Sequence, residues 1–204
     1  MVSAVKSDNI PLILEAAQKQ FARYGFKKTT MNDIADEIGM SKASLYYYFP
    51  NKEELFKEVI KEELAEFIDK INTIISTGKS YIDLLVSYAE MRHVYFQNFI
   101  NLGKLSSEAL KNVKPLYTEL FKDFKKEEAL LAERMLQKGV DNGELEGLDI
   151  PRYAELYVNI IQGLRKNVFM SKDLADFTDD DYEALKKQSI LTAKIFGIGI
   201  KTKL

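Results

Sequence analysis

The chain of 204 residues contains no cysteine and a single histidine. The first absence excludes disulfides, thiolate metal sites and cysteine nucleophiles. With only one imidazole left, a dedicated transition-metal site lacks ligands as well, and no metal or cofactor is expected. No apolar run approaches the ~18 residues that a membrane span requires. The opening stretch MVSAVKSDNIPLIL lacks the uninterrupted apolar block of a secretory signal, which predicts a cytoplasmic protein with no membrane partner. Also missing are a Ser/His/Asp arrangement, an HExxH pair and a glycine-rich phosphate loop, so no catalytic residue is assigned and no enzyme is expected. Strand signals are nearly absent, and there is no internal repeat or low-complexity linker.

What remains is apolar material at helical spacing. Ile10, Ile13, Leu14, Ala17, Phe21 and Tyr24 recur as i, i+3, i+4, i+7, which predicts a first helix ending at Gly25. Thr30 with Asp33 reads as a capping box opening a short second helix, with Met31, Ile34, Ala35 and Ile38 inward and Gly39 as its stop. Ser41 caps a short third helix that Pro50 ends. Asn51 with Glu54 opens a fourth, to about Ser76. Longer helices follow: about 80–102, a short one around 104–112, one opened by Pro115 to about 142, one from Tyr153 to about Met170, and a last one capped by Thr178 and Asp181. The expected fold is all-α with about nine helices. A three-helix unit over 1–50 precedes a larger helical domain over 51–204.

Net charge is −2, distributed with a mild asymmetry. Residues 1–52 hold seven basic groups (Lys6, Lys19, Arg23, Lys27, Lys28, Lys42, Lys52) against five acids, so this part carries +2 and the remainder −4.

The tripeptide Gly39-Met40-Ser41 is too short for an antiparallel hairpin of helices but fits a helix-turn-helix. With Met31 as position one, Ala35, Gly39 and Leu45 fall at positions 5, 9 and 15: a small residue where the helices approach, a left-handed turn, and an apolar anchor.

The stretch ILEAAQKQFARYGFKKTTMNDIADEIGMSKASLYYYFPNKEELFKEVI resembles the N-terminal region of TetR-family transcriptional regulators. The similarity covers about residues 10–60 and rests on FARYGF, TTMNDIADEIG, the aromatic cluster and NKEEL. Residues 80–204 share only the family's helical layout. With Leu45 inward, Tyr48 and Phe49 share the buried face, while Lys42, Ser44, Tyr46 and Tyr47 face out. Such a helix suits the major groove. Lys42 can donate to guanine, Ala43 and Ser44 can touch a thymine methyl or a base edge, and Tyr46 and Tyr47 can bond phosphates. Lys52 lies in the first turn of the fourth helix, and Lys28 and Thr30 flank the groove. The resemblance implies that the positions of Lys42, Ser44, Tyr46, Tyr47 and Lys52 are used in this way. The alternatives are plain ones: Lys28 and Lys52 as solvated charges, Thr30 and Ser41 as caps first, and Tyr46 and Tyr47 packed on the first helix.

The resemblance further implies a homodimer on a palindromic double-stranded DNA operator and a small-molecule effector held by the C-terminal helices. For the dimer, one apolar stripe includes Tyr153, Ile160, Gly163 and Leu164, and the last helix offers Ser189, Thr192 and Phe196. A monomer would bury both stripes internally. For a mainly apolar or aromatic effector, the middle helices offer Tyr88, Arg92, Tyr95, Phe99, Tyr117, Phe121, Tyr157 and Gln162. An aromatic stripe of this kind can equally be core. His93 reads as a surface or hydrogen-bonded residue rather than a ligand. An all-helical enzyme and a protein-interaction adaptor are the competing classes; the first lacks catalytic groups, and the second has no use for Lys42, Tyr46 and Tyr47 outside together.

Overall fold

A computed structural model describes the backbone of residues 2–103, 107–171 and 178–201; within these, the side chains of 2–8, 96, 99–121 and 166–171 are not described. The described residues form eight helices: α1 (Val2–Lys28), α2 (Met31–Glu37), α3 (Lys42–Tyr48), α4 (Lys52–Ile75), α5 (Tyr81–Gly103), α6 (Ser107–Asp141), α7 (Ile150–Ser171) and α8 (Asp179–Lys201). The sequence predicts one more, because Pro115 reads as a helix start. Instead α6 continues through it. A proline removes one backbone donor, a loss that a helix of 35 residues absorbs without ending.

The caps are those the sequence predicts. Thr30 Oγ1 accepts from Asp33 N at 3.2 Å while Asp33 Oδ2 accepts from Thr30 N at 2.8 Å. Ser41 accepts from Ser44 N, Asn51 from Glu54 N, Asp149 from Arg152 N and Thr178 from Asp181 N. Each satisfies an amide that the first helical turn leaves without a partner.

The chain forms two compact units, residues 1–63 with 98–117, and residues 64–97 with 118–204. In the first, Ile13, Ala17 and Phe21 of α1 are buried with Ile34 and Ala35 of α2, Leu45 of α3, and Leu55, Phe56 and Val59 of α4. Phe56 meets Phe21 edge-on and Phe26 at a tilt, each with ring centroids 4.8 Å apart. Removing Leu45, which is fully buried, costs about 2–5 kcal/mol in lost transfer energy and cavity formation.

The second unit centres on Phe67, Leu84, Leu85, Tyr88, Leu131, Met135, Tyr157 and Ile161. α8 meets α5 at a close point. Tyr81 donates its hydroxyl to the Gly197 carbonyl at 2.7 Å, and a Cβ at Gly197 would lie 2.9 Å from Ile82. An alanine there would require the Ile82 side chain to shift.

Candidate nucleic-acid interface and effector region

The turn between α2 and α3 is built by backbone chemistry. Gly39 has φ 63°, its amide bonds the Asp36 carbonyl at 3.2 Å, and the Met40 amide bonds the Ala35 carbonyl at 2.9 Å. This pair of bonds is a Schellman stop, which needs a left-handed residue at that point. Ala35 is 1% exposed and Leu45 fully buried, so the small contact residue and the anchor sit where the spacing predicts.

With Leu45 fixed inward, Lys42, Ala43, Ser44, Tyr46 and Tyr47 all lie on the exposed face of α3. Tyr46 is 41% and Tyr47 61% exposed, so both rings and their hydroxyls are open to a partner outside the fold. The Lys42 ammonium stands 5.9 Å from the Tyr46 ring centre. Of the two residues expected to anchor α3, Phe49 is buried. Tyr48 is half-buried, with its hydroxyl accepting from Asn9 Nδ2 at 2.9 Å and its ring edge-on to Tyr47.

The flanking residues divide. Lys28 is exposed at the end of α1. Thr30 is exposed, but its hydroxyl donates to Asp33 Oδ2 at 2.7 Å and belongs to the cap. That bond, followed by the one from the Thr30 amide, holds the Asp33 carboxyl below its ordinary range. Lys52 is half-buried, and its ammonium donates to the carbonyls of Phe26 and Thr29 at 2.7 and 2.8 Å. Burial lowers its pKa, while Glu53 and Asp33 oppose the shift.

Among the residues expected to meet an effector, Tyr88, Arg92 and Gln162 converge on one carboxylate that the sequence reading passed over. Glu128 Oε1 accepts from Tyr88 at 2.6 Å and from Arg92 Nε at 2.5 Å; Oε2 accepts from Gln162 Nε2 at 2.8 Å. Burial would raise the Glu128 pKa, but Arg92, Arg165 and the two hydrogen bonds outweigh it and keep the group ionised. Arg165, also buried, is lowered to about 10 by burial and by the Arg92 charge. The Arg92 guanidinium lies 5.0 Å from the Phe124 ring centre and 5.9 Å from that of Phe67. Tyr157 donates to the Leu85 carbonyl at 2.6 Å, and Tyr95 packs edge-on against Phe67. The side chains of Phe99, Tyr117 and Phe121 lie outside the described residues. An open groove of about 580 Å³ lies between Arg134 and Gln137 on one side and Leu148, Asp149 and Ile150 on the other, and none of the expected effector residues lines it.

His93 is 5% exposed rather than on the surface, and its Nδ1 has no hydrogen-bond partner among the described residues. The signal that could have found Glu128 is positional. It occupies an inner-face place in the series Phe124, Glu128, Leu131, Met135, where a charge is out of pattern.

The expected dimer residues also divide. Tyr153, Ile160, Gly163, Leu164, Thr192 and Phe196 are half-buried, and Ser189 is buried within the protomer. Phe196 turns inward onto Tyr157, with ring centroids 5.2 Å apart. The outer faces of α7 and α8 instead expose Leu156 (47%), Leu191 (58%), Ile195 (62%) and Ile198 (62%). A Cβ added at Gly163 would meet nothing within 4 Å.

A helix-turn-helix whose second helix carries lysine, serine and tyrosine outward defines a DNA-binding protein. Known proteins agree. The family described as bacterial regulatory proteins, tetR family, matches residues 13–59. A transcriptional regulator of known crystal structure from Cytophaga hutchinsonii ATCC 33406 is 39% identical, covering 95% of this chain and 99% of its own, with a TM-score of 0.89. YfiR of Bacillus subtilis strain 168, an uncharacterized HTH-type transcriptional regulator, is 28% identical over 179 residues, 80% of this chain and 82% of its own. KstR2 of Mycolicibacterium smegmatis, an HTH-type transcriptional repressor, is 36% identical over 73 residues, 36% of each chain. The chain belongs to the TetR family of bacterial DNA-binding transcriptional regulators. Among the described residues, no helix is long and apolar enough to cross a membrane.

Proposed function

We propose that this regulator is a repressor, binding a palindromic operator as a homodimer and released when a small, mainly apolar or aromatic molecule binds the helical domain over 51–204. The observation that carries the DNA-binding part is the outward set Lys42, Ala43, Ser44, Tyr46 and Tyr47 on a helix whose inner side is pinned by Leu45. Lys42 and Ser44 read base edges at the start of α3, and Tyr46 and Tyr47 hold phosphates that fix its register. Lys28 and Thr30 flank the same groove. A twofold dimer places two such helices on half-sites one or more helical turns apart.

The dimer reading is supported by Leu156, Leu191, Ile195 and Ile198, apolar residues exposed along two helices. The open space over Gly163 fits a close crossing of α7 with its symmetry mate. The effector reading is supported by the convergence of Tyr88, Arg92 and Gln162 on Glu128 amid Phe67, Tyr95 and Phe124, an aromatic setting with a few directed polar groups. Release is a population shift, in which the effector prefers a state whose two reading helices no longer match the half-site spacing.

Fluorescence anisotropy with a duplex that the protein selects from a random-sequence pool tests this. Binding is expected to be sequence-specific and to weaken steeply with salt. Replacing Lys42, Tyr46 and Tyr47 together by alanine abolishes it and leaves the dimer intact. Unchanged binding by that variant, or no sequence preference in the wild type, overturns the reading.

A further inference from the structure

The corner between α1 and α2 shows where its backbone groups go. Gly25, with φ 80° and ψ 158°, interrupts the helical ladder before the last turn of α1. Its carbonyl accepts from Thr29 N at 3.2 Å and from Thr29 Oγ1 at 2.9 Å, and that hydroxyl also lies 3.1 Å from the Gln20 carbonyl. The Thr30 carbonyl accepts from Ile34 N as α2 begins. Phe26 and Thr29 have carbonyls at this corner that face α4, and both are taken by the Lys52 ammonium, at 2.7 and 2.8 Å. The same nitrogen lies 4.5 Å from the centre of the Phe26 ring, which also packs against Phe21 and Phe56. Asp33, which closes the Thr30 cap, acts on Lys52 electrostatically.

An ammonium has three protons. Two of them point into main-chain carbonyls, and the aromatic ring covers a further side. Lys52 therefore sits as a bolt between the first turn of α4 and the peptide that leads into Thr30 and the helix-turn-helix.

We propose that Lys52 acts in DNA recognition as a positioning residue, fixing the α2–α3 unit against α4, and not as a phosphate contact. This rests on the reading of α3 as the recognition helix. It gives α4 a physical handle on that unit, because any displacement of its first turn pulls on the carbonyls of Phe26 and Thr29 and so on the peptide that begins α2.

Three roles for Lys52 give three different salt titrations. Lys52→Met keeps the length of the side chain and removes its charge. As a positioning residue, its loss weakens binding to the selected duplex on the order of tenfold, the scale of one or two charge-assisted bonds. The slope of log affinity against log salt stays that of the wild type, and binding to random DNA is unchanged. A phosphate contact would instead reduce that slope by about 0.9 and weaken selected and random DNA alike; that result overturns the proposal. So does a lowered melting temperature with unchanged operator affinity, which is a structural role alone. Lys52→Arg, whose fork can reach two carbonyls, is expected to restore most of the affinity. If Lys52→Met does not fold, Phe26→Leu removes the ring and keeps the charge, and is expected to weaken operator binding with the same unchanged slope. Hydrogen exchange on the free protein decides the clamp without DNA. Amides from Thr29 to Asp33 should exchange faster in Lys52→Met, and unchanged exchange there overturns the proposal. A wild type that selects no operator would sink the reading of α3, whereas the exchange pattern answers separately for the clamp.

Discussion

Arg92 on α5 donates through Nε to Oε1 of Glu128 on α6 at 2.5 Å, with both side chains buried. Gln162 on α7 bonds the other carboxylate oxygen, so one acid ties three helices together. Deleting one partner of a buried ion pair leaves the other charged without compensation, which costs about 3–5 kcal/mol. Glu128→Gln keeps the shape and removes the charge, and it should lower unfolding stability by that order in a urea titration. Adding Arg92→Met should recover part of the loss, because the guanidinium bonded to that carboxylate is then gone and Arg165 no longer has a second buried cation beside it. A Glu128→Gln protein within about 0.5 kcal/mol of wild type would mean that this network does not hold the domain together.

The exposed stripe on α7 and α8 makes a separate prediction. Leu191→Glu combined with Ile195→Glu places two charges where 58% and 62% of the side-chain surface is open in the protomer. The fold has no reason to suffer, since neither residue is in the core. A twofold interface, by contrast, would bring four like charges together. Sedimentation should show the mass halved and the thermal transition at low protein concentration little changed. Retention of the dimer would move the interface elsewhere.

The reading unit was legible in the sequence because its signals are local. The Thr30–Asp33 box, Gly39 at the turn and Leu45 as anchor depend on residues within a few positions of one another, and local spacing determines them. Lys52 was legible only as a charge in a first helical turn. Its bond to Phe26, 26 positions away, depends on how α4 packs against the end of α1. Glu128 lies further still from sequence reasoning, with partners 40, 36 and 34 positions away on two other helices. Of the residues expected at a dimer contact on α8, Ser189 is buried in the protomer and Phe196 turns onto Tyr157, while Leu191, Ile195 and Ile198 are the exposed apolar residues of that helix. Ser189, Thr192 and Phe196 match the small, apolar character of a close contact, but composition does not say which side of a helix the protomer itself consumes.

Thr30 offers a way to separate a cap from a DNA contact. Its hydroxyl is engaged with Asp33, and aspartate is as good an N-cap as serine or better than threonine. Here that preference fails, because a carboxylate cannot give Asp33 Oδ2 the proton it accepts from the Thr30 hydroxyl and would set two like charges side by side. Thr30→Ala should cost about 1 kcal/mol and Thr30→Asp no less. If Thr30 flanks the operator backbone, the new carboxylate also repels phosphate. Anisotropy should then show weaker binding for Thr30→Asp than for Thr30→Ala, with the gap closing as salt rises. Equal binding by the two variants would remove Thr30 from the interface.

His93 gives the chain a pH dependence above the range of its carboxylates. Burial depresses its pKa from the ordinary 6.5, the Lys186 charge on α8 and the Arg165 charge on α7 push the same way, and Glu183 on α8 opposes them. Its ring lies edge-on to Tyr182, where α8 begins. Below 6.5 the unfolded chain takes a proton that the folded one refuses, so the unfolded state binds more protons and stability falls as pH drops. The loss ends once pH passes the depressed folded value. Glu128 contributes in the same direction but lower, because its folded pKa lies below the ordinary 4.5 and its stabilisation fades only under that point. Two windows should therefore appear in unfolding free energy against pH, one opening near 6.5 and one near 4.5. As the only histidine of the chain, His93 has an unambiguous imidazole resonance, and its NMR titration should give a midpoint below 6.5. His93→Phe should erase the upper window and leave the lower one. A midpoint at or above 6.5 would show that the ring is solvated or paired in solution, and that α8 does not shield it.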